Sequence, residues 1–205
     1  MVTALIPLLL IWVLAFHQSC LASPSQEFYE RNSEIYDKWG ICRTRASGDD
    51  GFFQASGSSF RPTIAFESLG PEAERAYELG GKFAEKYKDD NRLAEAIFLF
   101  VRDGVRYTSD LDQFGYRDYA QNADELIRTL GDGSFAEGNW EDYAILLAVM
   151  WKGAGLRSAI VLASNHAAAL VYLPGYRNAN MVWELNGGEG WIWAEATGSN
   201  NPLGW

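Results

Sequence analysis

The chain has 205 residues, 48% hydrophobic and 21% charged, which excludes a disordered polypeptide and leaves room for one moderate domain plus an N-terminal appendage. Its formal net charge is -10, so no surplus of Lys and Arg is left to neutralise phosphates, and nucleic-acid binding is not expected. Anionic membrane surfaces would repel it for the same reason, and the acidity is read as solubility.

Met1 to Ala22 reads as an export segment: Ala4 to Phe16 is almost unbroken apolar, and Cys20-Leu21-Ala22 offers small residues near a cleavage point. The run is short for a membrane span, which needs about 20 residues. No Lys or Arg precedes it, so an uncleaved anchor stays open beside a signal peptide. The protein is expected to be exported, touching a membrane only through this segment. Cys20 and Cys42 are the two cysteines, and loss of Cys20 with a leader leaves Cys42 alone. No disulfide framework or zinc-type spacing follows. The fold must stand on its core, for which 8 Trp, 10 Tyr and 11 Phe are ample material.

Ser25 to Tyr36 carries a weakly helical pattern (Phe28, Ile35, Tyr36), and Arg43 to Pro62, rich in Ser and Gly, reads as turn and loop. Residues 23–66 are therefore taken as an extension and linker, and 67–205 as the folded domain. Pro71 opens a helix with an apolar stripe (Ala73, Ala76, Tyr77, Phe83, Ala84, Tyr87) reaching Asp90, weakened in its middle by Gly80-Gly81. Asn91 can cap a second helix, which stops at Gly104. Val105 to Thr108 is a short strand, Ser109 to Gln121 a polar loop, and Ala123 to Leu130 a short helix ended by Gly131.

Asn139 is a good helix cap, with Asp142 three residues on as its capping-box partner. The helix that follows (Ile145, Leu146, Ala148, Val149, Met150) is apolar on nearly all sides and reads as the buried centre, ending at Gly153 and Gly155. Strands are expected over Ser158 to Ala163, His166 to Leu173, Met181 to Leu185 and Trp191 to Thr197, with turns at Pro174-Gly175 and Asn186-Gly187-Gly188. Helices first and an antiparallel sheet afterwards is the α+β order. The chain stops at Trp205, soon after Asn201-Pro202-Leu203-Gly204, which is abrupt for a domain edge, so an incomplete C-terminal edge is expected.

The segments Tyr107-Thr108-Ser109-Asp110, Ala123-Asp124-Glu125-Leu126, Gly138-Asn139-Trp140-Glu141-Asp142, Asn165-His166-Ala167-Ala168 and Glu195-Ala196-Thr197 stand in a meaningful order. From about Leu93 to Trp205 the chain resembles the transglutaminase-like superfamily, related in fold to papain, where Cys, His and Asp follow one another at a helix start and on two strands. The resemblance implies a buried central helix packed on a C-terminal antiparallel sheet. It places Trp140 at the cysteine position, His166 in the base role and Glu195 in the orienting role, one methylene longer than the commoner Asp.

The chemistry of such a site needs a thiol at a helix start, where unpaired N–H groups and the dipole lower its pKa and can hold an oxyanion. An imidazole takes the thiol's proton and a carboxylate fixes the imidazole. An indole cannot attack an amide carbonyl, and loss of a nucleophile costs such a unit several orders of magnitude in rate. Ser134 lies out of position, and Cys42 reads as a structural or incidental thiol.

The leading expectation is a nucleophile-less member that binds a peptide or glutamine-like group. One rival is an active cysteine-type transglutaminase, amidase or peptidase, with Trp140 an anomaly of this sequence. Another is a carbohydrate- or peptide-binding surface built on Trp183, Trp191 and Trp193, which requires exposed, coplanar rings. Neither cofactor nor metal is expected: Gly131-Asp132-Gly133 lacks the Lys of a phosphate loop, and Asp110, Asp112 and Asp118 lack EF-hand spacing.

Overall fold

The computed structural model describes residues 28–37, 40, 42–48, 50–56, 59–62, 71–131, 134–163, 166–185 and 187–205. The export segment, Cys20 and Asn165 lie outside the described residues. Among those residues, no helix is long and apolar enough to cross a membrane.

The N-terminal part forms strands where helix and loop were expected. Strands β1 (Phe28–Arg31), β2 (Glu34–Asp37), β3 (Cys42–Ser47), β4 (Gly51–Ser56) and β5 (Ser59–Pro62) form one sheet in chain order. The physical reason begins at Asn32 and Ser33, which take φ of 57° and 61°. Two consecutive left-handed residues make the tight turn whose twist suits a hairpin. The turn sets Phe28 opposite Asp37 and Tyr29 opposite Tyr36, whose rings stack 5.6 Å apart. Aromatic cross-strand pairing then outweighs the weak helical period.

This sheet is fastened to the helical part by a buried cation. Arg43, fully buried, donates from Nε and Nη2 to the Ala120 carbonyl at 3.0 and 2.7 Å. Glu125 lies 3.7 Å from the same guanidinium.

Helices α1 (Pro71–Lys86) and α2 (Asp90–Gly104) follow, then β6 (Val105–Tyr107), α3 (Asp110–Phe114), α4 (Ala123–Gly131), β7 (Ala136–Gly138) and α5 (Trp140–Gly153). Asp89, not Asn91, caps α2, its carboxylate accepting from the Arg92 N–H at 3.0 Å. The expected polar loop holds α3, capped by Ser109 and closed by Gly115 at φ 76°. Gly80 is a contact site as well as a weak helix former. A Cβ there would lie 2.0 Å from the Met150 carbonyl oxygen, and a Cβ on Gly153 would lie 2.1 Å from that of Tyr77. The two glycines let α1 and α5 approach at backbone distance.

Strands β8 (Ser158–Ala163), β9 (His166–Tyr172), β10 (Val182–Leu185) and β11 (Gly188–Ala194) form an antiparallel sheet in the order β10-β11-β9-β8. The architecture is α+β. Helix α5 is buried from Glu141 to Trp151. Its apolar side chains join the core with Ala167, Ala169, Val171, Ile192 and Ala194, the alternate residues of β9 and β11. Those mostly small residues let the helix sit close to the sheet. Burial of Ile145, Leu146 and Leu147 contributes about 1.5–3 kcal/mol each.

The tryptophans alternate with these core positions. Trp191 is buried, Trp193 half-buried and Trp183 exposed, and the rings of Trp183 and Trp193 are tilted by 37° at 6.1 Å. That is not a coplanar exposed platform. Strand β11 ends at Ala194, earlier than expected, so Glu195 leaves the sheet just past the strand.

Candidate active site

The first turn of α5 is held by two residues predicted from the capping pattern. The Asn139 side chain accepts from the Glu141 N–H at 3.2 Å, and Asp142 accepts from the Asn139 N–H at 3.0 Å. This capping box starts the helix at Trp140. Gly138 leaves room for the box, since a Cβ there would lie 2.8 Å from Asp142 Oδ2.

Three elements converge on that turn. Trp140 opens α5, His166 opens β9, and Glu195 follows β11. The rings of Trp140 and His166 are 6.1 Å apart, inclined at 44°. Nε2 of His166 contacts Oε2 of Glu195. The other carboxylate oxygen, Oε1, accepts from the Thr197 hydroxyl and from the Thr197 N–H at 3.3 Å. Glu195 is thus held from both sides, and its side chain is less exposed than that of His166, 13% against 32%.

A cleft of ≈ 310 Å³ opens above this group, lined by Tyr107, Trp140, His166 and Thr197. Tyr107, at the end of β6, is 51% exposed. The structure therefore brings Trp140, His166 and Glu195 together, and adds Tyr107 and Thr197 as walls. Both additional residues belong to short segments that the sequence pattern contains, but their facing the cleft depends on where β6 and the turn after β11 end.

No thiol faces this cleft among the described residues. Cys42 is buried in β3, its sulfur 3.5 Å from the Thr44 hydroxyl. Ser134 is exposed before β7 and does not line the cleft. The Thr197 hydroxyl is donated to Glu195 rather than to the imidazole.

Beneath the cleft lies a group of buried acids that the sequence pattern does not announce. Asp110, Glu141 and Asp142 are all at most 1% exposed. Asn139 Nδ2 bridges the first two, donating to Asp110 Oδ2 at 2.7 Å and to Glu141 Oε1 at 2.8 Å. Asp110 also accepts from the Tyr119 N–H at 2.7 Å, and Asp142 from the Gln121 N–H at 2.7 Å.

Burial pushes Asp110 up to about 6. Burial, then the charges of Asp142 and Asp110, pushes Glu141 up to about 10. Burial also raises Asp142. Asp110 Oδ1 and Glu141 Oε2 each lack a donor among the described residues. Hydrogen bonding to Glu141 is among the influences that hold Asp110 down. The field of this pair reaches the cleft wall: the Tyr107 phenol is raised by burial and then by Glu141 and Asp110.

No protein-family model matches the chain, and no curated protein matches it. Among solved structures it is similar to a candidate protease from Parabacteroides distasonis, at 13% identity with a TM-score of 0.45. The match covers 68% of this chain and 26% of that protein, so the chain spans about a quarter of the length of the structure it resembles.

Proposed function

We propose that this chain carries a transglutaminase-like, papain-related site without its thiol, and that the cleft binds a peptide or glutamine-like side chain without acyl transfer. The carrying observation is the indole of Trp140 standing on the imidazole of a His166–Glu195 pair, at the first turn of a buried, capped helix. An imidazole held by a carboxylate is the base half of an acyl-transfer unit. The indole occupies the place where the attacking atom belongs, so the unit has a base and no nucleophile. The ring also supplies an apolar wall, which suits retention of a ligand. The apolar run Ala4 to Phe16 supports placing this binding protein outside the cytoplasm.

The test is turnover on a glutamine-containing peptide with a primary amine acceptor, and hydrolysis of simple amides, beside Trp140→Cys. The wild type is expected to release no ammonia and no cleaved product above the buffer blank, while still shifting the Trp140 indole resonance on titration with the peptide. Wild-type turnover that disappears in His166→Ala would overturn the reading.

A further inference from the structure

We propose that the cleft over His166 takes a quaternary ammonium group, with Trp140 and Tyr107 as its walls. The inference rests on the reading of this cleft as a binding site and adds a second class of ligand to it.

Two aromatic rings, Trp140 and Tyr107, line the same cleft of ≈ 310 Å³. A cation over such ring faces is attracted by their quadrupoles, most strongly by tryptophan. The surrounding side chains do not oppose it. Glu195 stands behind the imidazole and offsets the charge that His166 carries when protonated. Arg106, the neighbour of Tyr107 in β6, does not line the cleft, and its guanidinium lies 5.1 Å over the Phe135 ring.

Hydrogen bonding decides which cation fits. A primary ammonium brings three N–H donors that must be satisfied once water is displaced. The carboxylate nearest the cleft has its oxygens engaged, Oε1 by the hydroxyl and N–H of Thr197 and Oε2 by His166. A quaternary ammonium carries no donor, so ring faces alone can hold it. Choline-type head groups and trimethylated lysine side chains share this chemistry.

The experiment titrates the full chain with choline, with the amide-blocked trimethyl-lysine residue, and with dimethylbutanol, the isostere of choline in which carbon replaces the charged nitrogen. Binding is read by calorimetry and by the Trp140 indole resonance, assigned through its loss in Trp140→Leu. At least one of the two cations is expected to bind about tenfold more tightly than the neutral isostere. The tighter of the two identifies the source of the group. Tyr107→Leu and Trp140→Leu should each weaken the cation about fivefold or more, while Trp140→Phe, which keeps a ring face, should weaken it less.

Equal affinity for the cations and dimethylbutanol would overturn the inference, as would saturable binding that both leucine variants leave unchanged. A blocked glutamine residue included in the series separates the two readings. If it shifts the Trp140 resonance saturably and neither cation does, the ammonium inference falls and the binding site stands. If none of the four ligands shifts that resonance, both fall.

Discussion

Trp140 and His166 meet across the start of α5 and the start of β9, ring centroids 6.1 Å apart at 44°. The contact joins a helix N-terminus to a sheet, and Glu195 holds the imidazole through Nε2. Replacing the indole by a thiol would put sulfur at the first turn of a helix, beside an imidazole already held by a carboxylate.

Trp140→Cys is accordingly expected to create a reactive thiol. Alkylation by iodoacetamide at neutral pH should be at least about tenfold faster than for an unperturbed cysteine, since helix N-termini and neighbouring imidazoles favour thiolate. Adding His166→Ala should remove most of that increase. Cys42, fully buried, should label slowly in all variants. Equal labelling rates with and without His166 would sink the expectation.

Gly80→Ala and Gly153→Ala should each destabilise the protein strongly. The added Cβ would meet a carbonyl oxygen of the facing helix at 2.0 and 2.1 Å, so α1 and α5 must separate. Overpacking of this kind costs about 1–3 kcal/mol, more where backbone must move. Urea midpoints measure the loss. Gly115→Ala tests left-handed strain without a clash, because φ is 76° and nothing lies within 4 Å of the added carbon. It should cost about 1 kcal/mol, less than the change at either helix contact.

Glu141→Gln should flatten the dependence of stability on pH. The folded protein holds the Glu141 proton up to about 10, against 4.5 for the ordinary carboxyl. Between those values the unfolded chain gives up a proton that the native state keeps, so stability falls as pH rises. Below the lower value both states are protonated and the contribution is intact. Urea unfolding at pH 5 and pH 9 should show a loss of a few kcal/mol in the wild type and a smaller one in the variant. A residual slope should remain from Asp110, which burial raises in the same direction.

Arg43→Met should loosen the N-terminal sheet without disturbing the cleft. The change removes a buried cation that donates twice to Ala120 and faces Glu125. Breaking such a pair costs about 3 kcal/mol. Hydrogen exchange should speed up in β1 to β3, while the Trp140 indole resonance stays where it is. A shift of that resonance as large as the one caused by His166→Ala would contradict the separation.

Patterns confined to a few neighbouring residues were readable in the sequence. Asn139 with Asp142 announced the start of α5, and the all-round apolar run after it announced burial. The period of two from Ser158 onward gave β8 and β9 nearly to the residue. The strands β1 to β5 were not readable: Phe28, Ile35 and Tyr36 fit a helical period about as well as a strand, and the Ser and Gly of Arg43 to Pro62 read as loop. Pairing across the Asn32-Ser33 turn decides β1 and β2, and pairing with neighbouring strands decides β3 to β5. Strand β7, three residues long, exists through its parallel pairing with β6.

Local periodicity, capping and turn chemistry therefore settle the order of helices and then sheet from Pro71 onward and the place where the central helix begins, since each acts within a few residues. Tertiary structure alone decides that Glu141 and Asp110 lie buried against each other, that Gly80 touches the backbone of α5, and that Tyr107 and Thr197 wall the cleft with Trp140 and His166. Those relations join residues between 31 and 90 positions apart or depend on which way a strand end turns. Burial and long-range contact are properties of the assembled core, and no single segment carries them.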